Sequence, residues 1–305
     1  MGIVLHTPVM QEQVAKYLLA HGAHRLIDAT VGTGGHSRYL LRTGGSDLCI
    51  TGIDRDQVAL LEARKRLEVF GSRVELVLGN FRDLKLLVAE GKYDGILADL
   101  GLSSLQLSDP GRGFSYLQDG PLDMAMGEDG RSVRDLIGSA EELEISRILK
   151  TFGEVRNHRR IAREIIEARM DTEITTTFIL RAVVERVIPV NGSIPILSRV
   201  FQAFRIWANR ELESLEVLLP QAVDILETRG RLAVISYHSL EDRIVKRFFR
   251  AEEKGCTCPP DFPECRCGKK PRLKILTRRP ISPSAEEIKE NQRSRSAKLR
   301  IAERL

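Results

Sequence analysis

The stretch Leu26-Ile27-Asp28-Ala29-Thr30-Val31-Gly32-Thr33-Gly34-Gly35-His36-Ser37 decides the fold. Its first six residues predict a short buried strand and the next six a glycine turn, with Ser37 to Arg42 opening a helix. Leu48 to Ile53 predicts a second strand that ends at Asp54. Glycines let the backbone approach a ligand closely and take up positive φ. An acid at the tip of the second strand can accept hydrogen bonds from both hydroxyls of a ribose. Read together, these features predict a Rossmann-like cofactor site.

Two cofactors compete for the loop. A dinucleotide fingerprint, G-x-G-x-x-G, matches Gly32 and Gly34, but Ser37 stands at its third glycine and Asp28 is left without a role. An acid closing the first strand ahead of a small-residue turn resembles the S-adenosylmethionine loop of class I methyltransferases, where that acid helps to hold the cofactor's ammonium group. Thr30 occupies the place where those proteins more often have their first glycine. A ligand-free strand–helix turn would explain the glycines and leave Asp54 unexplained.

The alternation continues downstream. Ala59 to Val69 predicts an amphipathic helix, and Val74 to Leu78 a third strand running into Gly79-Asn80-Phe81. Tyr93 to Asp99 predicts a fourth strand with an acid at its carboxyl end. Doubly wound sheets bind ligands outside the carboxyl ends of their strands, and Asp28, Asp54, Phe81 and Asp99 all fall on that edge. Gln106 to Met126 then reads as loop, and Ala140–Thr151, Asn157–Met170 and Thr177–Ile188 have helical apolar spacing. A long helix is predicted over Ser198–Glu227, and Arg231 to Ser236 resumes the sheet. The expected architecture is therefore α/β, a Rossmann-like class I methyltransferase sheet with an inserted all-helical domain. Residues 1–104 and 198–305 form the discontinuous cofactor-binding domain, and 105–197 the insertion. From Cys256 onward an extended or partly disordered ending is predicted.

A chain of 305 residues that is 42% hydrophobic can bury a core, and its formal charge of +5 favours a polyanionic partner. Met1 to Met10 lacks the basic and apolar segments of a secretory signal, and His6 stands where a myristoylation signal needs Ser or Thr. No apolar run approaches the ~20 residues of a membrane span. These features predict a soluble, cytoplasmic protein.

Four further groups of residues carry chemistry. Asp99, followed by Leu100-Gly101-Leu102-Ser103, is placed to accept a hydrogen bond from an amine undergoing methylation, to touch the cofactor, or simply to cap the next turn. In Ser236-Tyr237-His238-Ser239-Leu240-Glu241-Asp242, Ser239 and Asp242 read as a capping box. Tyr237 and His238 then remain as substrate contacts or structural groups. Arg156, Arg159, Arg160 and Arg163 share one helix face; Lys269, Lys270, Arg272, Lys274, Arg278 and Arg279, then Arg293, Arg295, Lys298 and Arg300, make a second basic region. Such clusters suit a phosphate backbone or are solvated faces. Cys256, Cys258, Cys265 and Cys267 are spaced either for a structural zinc site or as four reduced thiols, and Cys49 reads as a core residue.

Several motifs resemble one family. They are His6-Thr7-Pro8-Val9-Met10, Gly32 to Ser37, Gly52-Ile53-Asp54-Arg55-Asp56, Gly95 to Gly101, Arg112-Gly113-Phe114-Ser115, Asp119-Gly120-Pro121-Leu122-Asp123-Met124, Ser236 to Arg243 and Arg293-Ser294-Arg295-Ser296. On them the chain is identified as a member of the MraW family of S-adenosylmethionine-dependent methyltransferases, with the block from Arg112 to Met124 the most specific. The resemblance implies methyl transfer from S-adenosylmethionine to N4 of a cytidine in the decoding region of 16S rRNA, within the small ribosomal subunit. It implies that Gly34, Gly35 and His36 hold the cofactor, Asp54 its ribose and Phe81 its adenine, while Asp99 and Gln106 complete the pocket. It names no catalytic base, so Asp99 stands as the candidate from the residues alone, and neither membrane nor DNA is an expected partner. A nicotinamide-dependent oxidoreductase and a non-catalytic RNA-binding module with a zinc knuckle are the alternatives.

Overall fold

The computed structural model describes residues 7–127, 130–189, 193–256, 258 and 266–305. Seven strands form one sheet in the order β3-β2-β1-β4-β5-β7-β6. They are β1 Arg25–Asp28, β2 Cys49–Asp54, β3 Val74–Leu78, β4 Tyr93–Asp99, β5 Leu226–Ser236, β6 Leu273–Ile275 and β7 Lys298–Arg304. β1 to β5 run parallel, and β7 runs antiparallel to both β5 and β6. The order reverses between β1 and β4, which opens a crevice at their carboxyl ends.

Consecutive strand residues point to opposite faces, and here both faces are covered. Leu26, Leu97, Ala233, Ile235, Leu299 and Ile301 pack into one apolar cluster, while Ile27, Ile96, Ala98, Leu232, Val234 and Ala302 pack into another. This explains why the central strands are apolar throughout instead of alternating.

The chain divides into two compact units, Met1–Gly101 with Leu212–Leu305, and Leu102–Glu211. The second contains the helices Val133–Ser139, Glu142–Gly153, His158–Asp171, Thr177–Glu185 and Ser193–Asn209. Its core includes Phe114, Met124, Ile145, Leu149, Ile161, Ile165, Leu180, Val200 and Phe204. The junction expected at 198 falls inside the helix Ser193–Asn209, and the long helix expected over Ser198–Glu227 is two helices, Ser193–Asn209 and Glu211–Ile225. Arg210, at φ 49°, breaks them apart with a left-handed backbone that no glycine or proline announces.

The ending expected to be extended or disordered instead supplies β6, the helix Ala285–Glu290 and β7. Leu299, Ile301 and Ala302 are fully buried, so this segment completes the sheet.

Candidate active site

β1 ends at Asp28, a buried acid whose carboxylate accepts from the Thr30 N–H at 3.3 Å and from the Ser37 hydroxyl at 2.7 Å. Burial pushes its pKa up, against the nearby His36 and these two donors. Asp28 thus pins both ends of the glycine turn. Thr30 adds a second tie, because its hydroxyl oxygen accepts the Asp99 N–H at 2.7 Å and joins the tips of β1 and β4.

The turn runs through Gly32 at φ 52° and Gly34 at φ 78°, both in the left-handed region. A Cβ at Gly34 would press on the Leu67 side chain at 2.9 Å, while a Cβ at Gly32 would meet nothing nearer than the Thr30 carbonyl at 4.0 Å. The loop is packed behind and open above Gly32, a cradle suited to a ligand. Gly35 begins the helix Gly35–Thr43, which places His36 in its first turn.

Asp54 closes β2 and accepts from the Gly32 N–H at 2.8 Å and the Asp56 N–H at 2.9 Å. Each carboxylate oxygen keeps a lone pair for another donor. Desolvation raises its pKa to about 6, opposed by the two N–H donors and reinforced by the charges of Asp56 and Asp28. Beyond β3, the Asn80 side chain accepts the Arg82 N–H at 3.1 Å and starts the short turn Phe81–Asp83, leaving Phe81 half-buried against the sheet's second apolar cluster.

Asp99 closes β4 and reaches two side chains. Its Oδ1 accepts the Tyr237 hydroxyl at 2.8 Å, and its Oδ2 lies 3.4 Å from His36 Nε2. His36 Nε2 is buried and makes no hydrogen bond among the described residues. Burial, and then the Asp99 charge, push the Tyr237 phenol well above its ordinary pKa, so it remains a donor. Gly101, at φ 107°, lets the backbone pass the Tyr237 ring, which a Cβ there would meet at 3.2 Å.

The sheet edge therefore brings together Gly34, Gly35, His36, Asp54, Phe81 and Asp99. Gln106 belongs to the other compact unit, where its N–H donates to Ser103 Oγ at 3.2 Å and its Oε1 accepts the Ser103 N–H at 3.0 Å. That reciprocal pair is a capping box opening the helix Ser104–Ser108. The box expected on Ser239 and Asp242 is shifted by one residue. His238 Nδ1 accepts the Glu241 N–H at 3.4 Å, and Glu241 Oε2 accepts the N–H groups of Tyr237 at 2.8 Å and His238 at 3.3 Å. His238 is thus a helix cap. Asp242 instead pairs with buried Arg300, Nε to Oδ1 at 2.7 Å. Arg300 is accordingly a structural cation, not part of a nucleic-acid surface. Arg272 is likewise engaged, by Glu252 at 2.5 Å and Asp224 at 2.8 Å. Arg156, Arg159, Arg160 and Arg163 remain exposed.

The sequence left the ties from Thr30 and Tyr237 to Asp99 unread, since both join residues distant in the chain. His6 and Cys265 lie outside the described residues.

The family model for the MraW methylase family matches residues 3–305. The chain belongs to the MraW methylase family. A relative from Heliobacterium mobile, described as ribosomal RNA small subunit methyltransferase H, is 47% identical over 98% of this chain and 99% of its own length. One from Syntrophus aciditrophicus, with the same description, is 45% identical over 98% of each. A solved rRNA methylase from Streptococcus thermophilus is 13% identical with a TM-score of 0.41, over 97% of this chain and 93% of that one. The class I fold of this MraW-family chain rests on its strand order instead. Among the described residues, no helix is long and apolar enough to cross a membrane.

Proposed function

We propose that this chain transfers a methyl group from S-adenosylmethionine to N4 of a cytidine in the decoding region of 16S rRNA, acting on the small ribosomal subunit in the cytoplasm. The observation that carries the reading is the row of acids, Asp28, Asp54 and Asp99, at strand ends around the switch point, in a chain of this family. The residues fit S-adenosylmethionine. Space lies open above Gly32, Asp54 keeps lone pairs for ribose hydroxyls, Phe81 offers a half-buried ring for adenine, and His36 Nε2 is a buried polar atom in need of a partner.

The cofactor supplies an electrophilic sulfonium methyl group. Gly34, Gly35 and His36 line its approach, Asp54 orients the ribose, and the family resemblance adds Gln106 as a further cofactor-binding residue. Cytosine N4 is a weak nucleophile because its lone pair is delocalised into the ring, so the base must be unstacked and aligned. Asp99 is the group to align it, accepting a hydrogen bond from the N4 amino group and stabilising the positive charge that develops there. The Tyr237 hydroxyl fixes the carboxylate for that task by occupying one lone pair of Oδ1. Leu102–Glu211 is the RNA-substrate unit in this reading, with the exposed arginines from Arg156 to Arg163 set against phosphates. The cysteine loop, read as either a zinc site or reduced thiols, stands outside this chemistry.

Incubation with labelled S-adenosylmethionine and small subunits lacking the modification, followed by mass-spectrometric mapping, tests the reading. Label should appear on N4 of one decoding-region cytidine. Label on another atom, or none while cofactor still binds, removes the substrate assignment.

A further inference from the structure

Three of the described cysteines lie close together outside the site above, and their geometry is specific. Cys256, Cys258 and Cys267 bring their sulfurs within 4.8 Å of one another. Cys267 Sγ is 3.8 Å from Cys256 Sγ. A disulfide would need ~2.05 Å. Zinc bonded to sulfur at ~2.3 Å in a tetrahedron holds its ligand sulfurs ~3.8 Å apart. We propose that these three thiolates bind a structural zinc ion.

Two further observations support a built site. The Arg266 backbone N–H points to Cys258 Sγ at 3.4 Å, the kind of donor that steadies a metal-bound thiolate. The loop is also closed at its base without help from the sulfurs. Gly255, at φ 67°, caps the helix Ser239–Lys254 and lies so close to Lys270 and Pro271 that a Cβ there would overlap their backbone, 2.5 Å from the Lys270 carbonyl carbon. The Arg272 N–H then donates to the Glu252 carbonyl at 2.9 Å. The outgoing and returning chains are therefore pinned side by side, which gathers the ligands before any ion arrives.

The donor set selects the metal. Thiolates are soft ligands that suit zinc and are poor partners for magnesium or calcium. Each thiol that binds gives up its proton to solvent, and three thiolates on a divalent ion leave a net single negative charge. Exposed Arg266, Lys269 and Lys270 lie along the returning chain to offset it. Cys256 and Cys258 lie on the outgoing chain and Cys267 on the returning one, so the ion secures the loop and takes no part in methyl transfer.

The test measures zinc per chain by plasma mass spectrometry on protein purified without chelators, alongside titration with S-adenosylhomocysteine. About one zinc per chain is expected in the native protein and in Cys49→Ser, and much less in Cys258→Ser and Cys267→Ser, with cofactor affinity unchanged throughout. Cobalt substitution should give the strong charge-transfer absorption of thiolate coordination, reduced in Cys267→Ser. Zinc-free native protein that binds S-adenosylhomocysteine and exposes all its thiols to a thiol reagent would overturn the site. Full zinc in Cys258→Ser would overturn it too. Because the cofactor titration runs on the same samples, loss of the zinc assignment leaves the methyltransferase reading separately measurable.

Discussion

The carboxyl end of β1 and β2 and the carboxyl end of β5 both carry acids next to a helix start, yet the two regions hold them differently. At the first, Asp28 and Asp54 are bound by neutral donors: backbone N–H groups of Thr30, Gly32 and Asp56, and the Ser37 hydroxyl. Burial dominates there, and both pKa values are raised. At the second, Asp242 meets Arg300 at 2.7 Å and Lys298 at 3.6 Å. Burial pushes Asp242 upward as well, but the two cations outweigh it and the net shift is down. An acid held by dipoles keeps its charge available to a ligand; one held by cations has spent it on the fold.

The largest effect should come from breaking the cation-held side. Among the described residues Arg300→Ala leaves Asp242 the longer Lys298 contact, and it should cost about 3 kcal/mol, the low end for a broken buried pair. Chemical denaturation measures it, and a loss below ~1 kcal/mol would show that the pair is not structural. The same contrast predicts that stability from Asp242 is fully present above the unfolded carboxyl value of ~3.9 and is lost as pH falls through its depressed folded value.

On the dipole-held side, Asp54→Ala should weaken S-adenosylhomocysteine binding about 100-fold, equivalent to two charge-assisted hydrogen bonds at the low end of their range. Calorimetric titration reads this directly, and unchanged affinity would remove Asp54 from the ribose. A milder version needs no mutation. The raised pKa of about 6 means that the ionised form is lost from the free protein as pH falls through 6. Cofactor affinity should then be flat above pH 7 and fall by at most about tenfold per unit below 6. A profile unchanged down to pH 5 would place the cofactor elsewhere.

A third set of charges sharpens the contrast: Arg159 and Arg160 of the helix His158–Asp171 are exposed, while Arg163 lies 3.9 Å from Glu142. Arg159→Ala should leave folding stability within ~0.5 kcal/mol of the native protein. It should lower the dependence of log affinity for rRNA on log salt by about 0.7 if the phosphate it meets is single-stranded. An unaltered salt slope would make that face merely solvated.

Most of the sheet edge that carries the candidate site was legible because its signals are local. A strand, a glycine turn and a terminal acid occupy consecutive residues, and four such strands point their ends the same way. The misread features depend on distant partners. Arg300 looks like any arginine in a basic run until Asp242 is found beside it, and the capping box slid from Ser239 to His238 because histidine is an uncommon cap. The break at Arg210 has no residue that demands it, while Pro220 sits inside the helix Glu211–Ile225 without ending it. Tyr237 has no role that its own neighbours define; its partner Asp99 lies on another strand, which no spacing reveals.

The pairing of β4 with β5 has a kinetic consequence. Ile96 lies opposite Leu232, so the two central strands must find each other across the whole of Leu102–Glu211. Closing so long a loop is entropically costly, and sheets built from remote contacts assemble slowly. The insertion's own core allows it to collapse early and shorten the effective search. Until β5 docks, the apolar edge of β4 stays open to other chains. Refolding yield should therefore depend on protein concentration far more than the stability of the finished sheet would suggest.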